Sequence, residues 1–124
     1  MLTTTMPKSM KCALSLCVVI LTATYIISAT SSAVYNDMYG QIQCCGGTAS
    51  DIMMFRKMLN KAGIIPVKCD MVIGNKDDYT LIITTNNGQF HLNANRGFSP
   101  GRIYYGLFNN YNEVLYEQYV PAAT

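Results

Sequence analysis

The spacing of apolar and polar positions changes along this chain, and each pattern predicts a different element. Cys12 to Ala29 form a charge-free apolar run, preceded only by the basic residues Lys8 and Lys11. A basic start, an apolar run and then the small residues Ser31-Ser32-Ala33 make the pattern of a secretory signal, with cleavage expected after Ala33. A run of roughly 18 apolar residues is also just long enough to anchor in a bilayer, although no basic cluster follows it as a stop-transfer signal. The expected organisation is a signal peptide over 1–33 and one domain over 34–124.

Beyond Ala33, Val34 to Gly40 read as a loose lead and Gln41 to Cys45 as a short strand, broken by Gly46-Gly47. Thr48 and Asp51 then stand at N-cap and N3, a variant of the capping box. Ile52, Phe55, Leu59 and Ala62 follow a single helical stripe that Met58 widens, while Arg56, Lys57, Asn60 and Lys61 take the opposite side. Gly63 suits the position after a helix end and Pro66 prevents resumption, so one helix is predicted from Asp51 to Ala62.

The remainder predicts antiparallel strands: Val67–Ile73, Tyr79–Thr85, Gln89–Ala94, Ile103–Phe108 and Glu113–Val120. Asn87-Gly88 suits a two-residue type I′ loop. That loop would set Thr84 opposite His91 and gather Leu81, Ile83, Phe90, Leu92 and Ala94 on one face. One apolar face and one largely polar face indicate a sheet covered by a helix on one side and open on the other. The expected fold class is α+β, one helix packed on a twisted four- to five-stranded antiparallel sheet.

Charge changes the picture once the signal is removed. The whole chain carries a formal +2, but from Val34 onward seven basic residues face seven acidic ones. A neutral domain lacks the long-range positive field of a generic phosphate-backbone binder. Cys44, Cys45 and Cys69 remain, and a secreted protein allows a disulfide. Cys45–Cys69 is the expected pair, with Cys44 as the alternative partner of Cys69. Three cysteines and the single distant His91 do not make a zinc pattern, so no metal or cofactor is expected. There is no N-x-[ST] sequon, so N-linked glycans are not expected to mask a surface.

Two stretches carry a resemblance. Ser99-Pro100-Gly101-Arg102-Ile103, running through Phe108-Asn109-Asn110 to Glu113-Val114-Leu115, resembles a late hairpin of the small fungal guanyl-specific ribonucleases. Tyr39 to Gly47, followed by Ser50-Asp51-Ile52 and a helix ending at Ala62-Gly63, is similar to the start of that fold. In character the chain resembles the ribonuclease-like secreted effectors of powdery mildew fungi. The resemblance spans most of Tyr39 to Val120 and implies a microbial ribonuclease-like scaffold.

Ribonuclease chemistry needs two proton-transfer groups flanking an in-line phosphate and a cation to hold the developing charge. By resemblance, Arg102 falls where the phosphate arginine would be, and His91 falls in the strand that carries the catalytic carboxylate. The last strand, which should supply a histidine acid, has Tyr116-Glu117-Gln118-Tyr119 instead, and an exposed Glu117 is a poor acid at neutral pH. There is also no C-terminal cysteine to join the chain ends. The expectation is therefore no catalysis. Were the chain active, His91, Arg102, Glu113 and Glu117 would be the groups.

The expected function is a secreted effector that binds host proteins, with a host immune receptor and RNA as further partners. It would be secreted and carried into the host cell, monomeric, and free of membrane after signal cleavage. Its expected binding surface comprises Tyr79, His91, Arg96, Arg102, Tyr104, Tyr116 and Tyr119, since tyrosine and arginine are favoured in recognition surfaces. Simpler roles exist for each: His91 as a strand residue bonded to Thr84, and Arg102 paired with Glu113 or Glu117 across the hairpin. The alternatives are an active small ribonuclease and a cystatin-like protease inhibitor, for which a helix on an antiparallel sheet is also apt.

Overall fold

The computed structural model describes residues 27–72 and 74–122. The predicted signal segment lies outside the described residues up to position 26. Two helices lead: α1 over Ile27–Cys44 and α2 over Ala49–Ala62. Five strands follow: β1 Lys68–Met71, β2 Asp78–Thr85, β3 Gly88–Asn95, β4 Arg102–Phe108 and β5 Val114–Pro121. They form one antiparallel meander in chain order. The α+β class and the five strands agree with the sequence pattern, each strand beginning and ending within about two residues of its expected bounds. Among the described residues, no helix is long and apolar enough to cross a membrane.

The leading segment differs from expectation. In place of a loose lead and a strand at Gln41–Cys45, α1 runs unbroken to Cys44 and makes a second helix on the sheet. Val34, Tyr35, Met38 and Ile42 are buried on one side of it, at helical spacings of one, four and eight. That stripe provides the burial a short isolated helix needs in order to form. Among the described residues, the buried side chains of α1 other than Ala33 all follow the predicted cleavage point.

Gln41 explains how α1 seats on the sheet. Its side-chain amide donates to the Cys69 carbonyl at 2.8 Å and accepts from the Met71 N–H at 2.7 Å. These two groups lie on the outer edge of β1, so a buried glutamine takes the place of a sixth strand there. Gln41→Ala is expected to cost about 1–3 kcal/mol by leaving both groups without a partner. Chemical denaturation of variant and wild type measures the difference.

α2 ends as predicted. Gly63 adopts φ +70°, its N–H reaches the Asn60 carbonyl at 3.1 Å, and the Ile64 N–H reaches Leu59 at 2.9 Å. This is the Schellman arrangement, and positive φ is why glycine stands there. The predicted capping box is not formed. Thr48 occupies the N-cap without a side-chain cap bond, and the Asp51 side chain turns into the core.

The β2–β3 turn also departs from expectation. Thr85 pairs with Gly88, so Asn86-Asn87 is the loop and His91 lies opposite Ile82, with Thr84 opposite Gln89. Neither Asn86 nor Asn87 has positive φ; Gly88 takes it instead, at +122°. The Thr85 hydroxyl accepts from the Asn87 N–H and donates to the Gly88 carbonyl, which holds this turn in place of the type I′ loop. The register moves by two residues, so the side chains keep their faces. Leu81, Ile83, Leu92 and Ala94 remain in the core with Phe55, Met58, Leu59 and the α1 stripe.

Cys45 and Cys69 are both free thiols, so neither the Cys45–Cys69 bridge nor the alternative Cys44–Cys69 bridge is made. Cys69 points into the core from β1, whereas the Cys45 thiol at the end of α1 turns back to the Ile42 carbonyl at 3.2 Å.

Candidate functional site

The polar centre of the molecule is Asp51, in the first turn of α2 and wholly buried. Its Oδ2 accepts the Tyr79 hydroxyl at 2.7 Å, and its Oδ1 accepts the Tyr105 hydroxyl and the Arg96 guanidinium, the latter at 2.7 Å. The Thr48 hydroxyl lies 3.4 Å from the same oxygen. Burial alone pushes this carboxyl up, but the bonds from Arg96, Tyr105 and Tyr79 together outweigh it and hold the group below the ordinary aspartate range. Burial, reinforced by the Asp51 charge, pushes both tyrosine hydroxyls far up, so they remain donors at any working pH.

Phe55, one helical turn on, meets the Tyr79 and Tyr105 rings edge-on at 6.2 and 5.7 Å. Arg96 completes the cluster, donating also to the Lys76 carbonyl at 3.1 Å. The Asp51 carboxylate is enclosed with both oxygens occupied. It organises the fold by tying the start of α2 to β2, β4 and the end of β3, and it is not placed to exchange protons with a substrate.

Beside this cluster a cleft of about 420 Å³ opens between the start of α2 and the ends of β4 and β5. Thr48, Ser50, Arg96, Arg102, Tyr105 and Pro121 are among its lining residues. Arg102 is exposed and makes no ion pair with any described residue. Glu117 instead accepts the Tyr104 hydroxyl at 2.8 Å, and Glu113 accepts the Asn109 side-chain amide at 2.8 Å. The pairing of Arg102 with either glutamate is therefore not made: Arg102 stands opposite Pro121, at the other end of the β4–β5 ladder from Glu113.

The second surface is the open face of the sheet. Tyr105, Leu107 and their neighbours point to the helices, so Tyr104 and Phe108 of β4 point the other way, with His91 and Asn93 of β3 and with Glu117 and Tyr119 of β5. Tyr104 and Tyr119 lie opposite each other with ring centres 5.1 Å apart. Phe98, from the β3–β4 loop and 63 % exposed, folds back to within 5.7 Å of both rings. This trio is the largest exposed aromatic grouping among the described residues.

The expected site residues do not gather in one place. His91 stands opposite Phe108, six residues along β4 from Arg102, which separates the two by about 20 Å at strand spacing. His91 and Arg102 thus cannot flank one phosphate. Of the expected binding surface, Tyr104 and Tyr119 sit together on the open face, with His91 elsewhere on it. Tyr79 is buried, a correction that follows from its hydroxyl reaching Asp51. Arg96 is tied to Asp51, and Tyr116 faces α2, with the Lys61 ammonium 5.3 Å from its ring centre.

Sequence reasoning missed Asp51 as a hub, Gln41 as an edge cap and Phe98 as a surface aromatic. Asp51 precedes Phe55 by four residues on the buried stripe, a signal that a capping reading obscures. Phe98 is a lone aromatic in a Gly-Ser-Pro loop, where no core demand explains it. Compared with protein-family models, curated proteins and solved structures, the chain matches none of them.

Proposed function

We propose that the chain is a secreted effector that acts by binding a host protein, on a catalytically inactive scaffold of the small-ribonuclease kind. Here α1 replaces the leading strand of that plan, and cleavage after Ala33 leaves the buried stripe of α1 from Val34 onward attached to the domain. The observation that carries the reading is the exposed Phe98–Tyr104–Tyr119 trio beside a set of would-be catalytic groups that lie too far apart to act together. Large, stiff aromatic side chains give contact area at small entropic cost, which suits protein recognition. A surface used in this way is also open to a host immune receptor.

The test is cross-linking in host tissue with wild type and with the double variant Phe98→Ser/Tyr119→Ser. Both side chains are exposed, so the variant should melt like wild type. A host protein captured by wild type and lost with the variant supports the reading. An identical set of captured proteins contradicts it.

One observation favours a second reading. The cleft holding the unpaired Arg102 with the Thr48 and Ser50 side chains has the chemistry to take a phosphate, and so RNA, without cleaving it. Loss of RNA binding on Arg102→Ala, with the open-face variant unaffected, would select it.

A further inference from the structure

The two edges of the sheet are treated differently. At β1, the outward Cys69 carbonyl and Met71 N–H are taken by Gln41. At β5, the Ala122 N–H donates to the Gly101 carbonyl at 2.9 Å, one step beyond the Arg102–Pro121 pair. Antiparallel pairs alternate, so Gln118 and Val120 also turn their main chain to β4, while Glu117 and Tyr119 turn theirs outward. No described residue meets those outward groups. The strand holds no lysine or arginine and its proline comes only at the last position; its bulge lies near its start, where Leu107 meets Tyr116 but Phe108 meets Val114, so the stretch from Tyr116 to Val120 is regular and uncovered.

We propose that two copies of the chain pair through β5, antiparallel, about a two-fold axis at Gln118, making one continuous ten-stranded sheet from two five-stranded ones. This inference stands apart from the proposed function and replaces the monomer expected from sequence. The symmetry selects the register. An axis at Glu117 sets two carboxylates directly opposite each other, which repels. An axis at Tyr119 sets Pro121, which has no N–H, opposite the outward Glu117.

The axis at Gln118 keeps the carboxylates apart and moves Pro121 to the end of the ladder, opposite Leu115 at the bulge. Glu117 then faces the second copy's Tyr119, and each such pair exchanges both main-chain hydrogen bonds. The two Gln118 amides meet at the axis, where each can donate to the other. Tyr116 faces the second copy's Val120 on the helix side.

The surroundings of the strand fit the same occupant. On the helix side a groove of about 90 Å³, lined by Met54, Met58 and Tyr116 together with the charged Lys57, Lys61 and Glu117, runs beside β5. Leu115 and Tyr119 are 40 % and 41 % exposed. A second copy would pair the edge of the strand and flank Leu115 and Tyr119, leaving the open face with Phe98 and Tyr104 accessible.

The test is sedimentation of the whole chain, kept reduced, for wild type, Gln118→Lys and Gln118→Cys. Wild type is expected as a dimer, and Gln118→Lys as a folded monomer with an unchanged far-ultraviolet circular dichroism spectrum, because two ammonium groups then meet at the axis. Gln118 and its symmetry mate form a non-hydrogen-bonded pair with Cα atoms about 4.5 Å apart, inside the disulfide range of about 4.4–6.8 Å. Oxidised Gln118→Cys should therefore run as a covalent dimer that wild type treated alike does not give. A monomeric wild type would overturn the proposal and leave β5 to a strand from another protein. A Gln118→Lys protein that stays dimeric would overturn it as well.

Discussion

Asp51→Ala should be the most damaging single substitution, costing about 3–5 kcal/mol, because it leaves a partly buried guanidinium and two buried hydroxyls without their shared acceptor. For a domain of this size that loss moves the thermal midpoint by on the order of 20 °C. Asp51→Asn keeps the shape and one oxygen, so it should fall between alanine and wild type. The same carboxylate sets an acid limit. Burial raises its pKa, but the bonds from Arg96, Tyr105 and Tyr79 win and leave the folded value depressed. A depressed aspartate stabilises fully above its unfolded value near pH 4, and that contribution is lost as pH falls through the folded value. Wild-type stability should therefore fall more steeply below about pH 4 than that of Asp51→Asn, which has no group to titrate there. Urea denaturation across an acid pH series measures both effects.

Phe55→Ala is expected to cost about 3–5 kcal/mol, the range for removing a fully buried phenylalanine and leaving its cavity. The site is poorly able to collapse, because Tyr79 and Tyr105, which flank the ring, are held by Asp51. The two substitutions should therefore couple. In the double variant Asp51→Ala/Phe55→Ala the tyrosines are already released, so the combined loss should be smaller than the sum by about 0.5–3 kcal/mol. A full double-mutant cycle by chemical denaturation, with the slope against denaturant held constant, reads that coupling.

The sheet and α2 were legible because their signals are local. Alternation of apolar residues assigns faces in β2 and β3, and it survives the two-residue register shift, since a shift of two returns every side chain to its own face. Gly63 and Pro66 mark a helix end by backbone chemistry alone. α1 was not legible for a different reason. Its stripe of Val34, Tyr35, Met38 and Ile42 begins where the apolar run ends, so its first turns merge with the predicted signal, and Gly40 and the paired cysteines suggest a break.

The site was less readable than the fold. Tyr79 looks like a surface tyrosine until a buried acceptor is known, and nothing in the sequence places Asp51 within reach of β2 and β4. Arg96 and Arg102 are equivalent in sequence, each preceding a strand or following one. Only the tertiary arrangement ties the first to Asp51 and leaves the second in the cleft. The open-face trio was partly anticipated, since Tyr104 and Tyr119 stood in the expected surface while Phe98 did not.

The reading of this chain as a binding protein rests on the separation of His91 from Arg102, and RNA turnover tests it most directly. The purified chain is incubated with short RNAs beside His91→Ala and Arg102→Ala. The predicted result is no cleavage by wild type above that of either variant. Cleavage by wild type that both substitutions abolish would contradict the account and make the chain an enzyme.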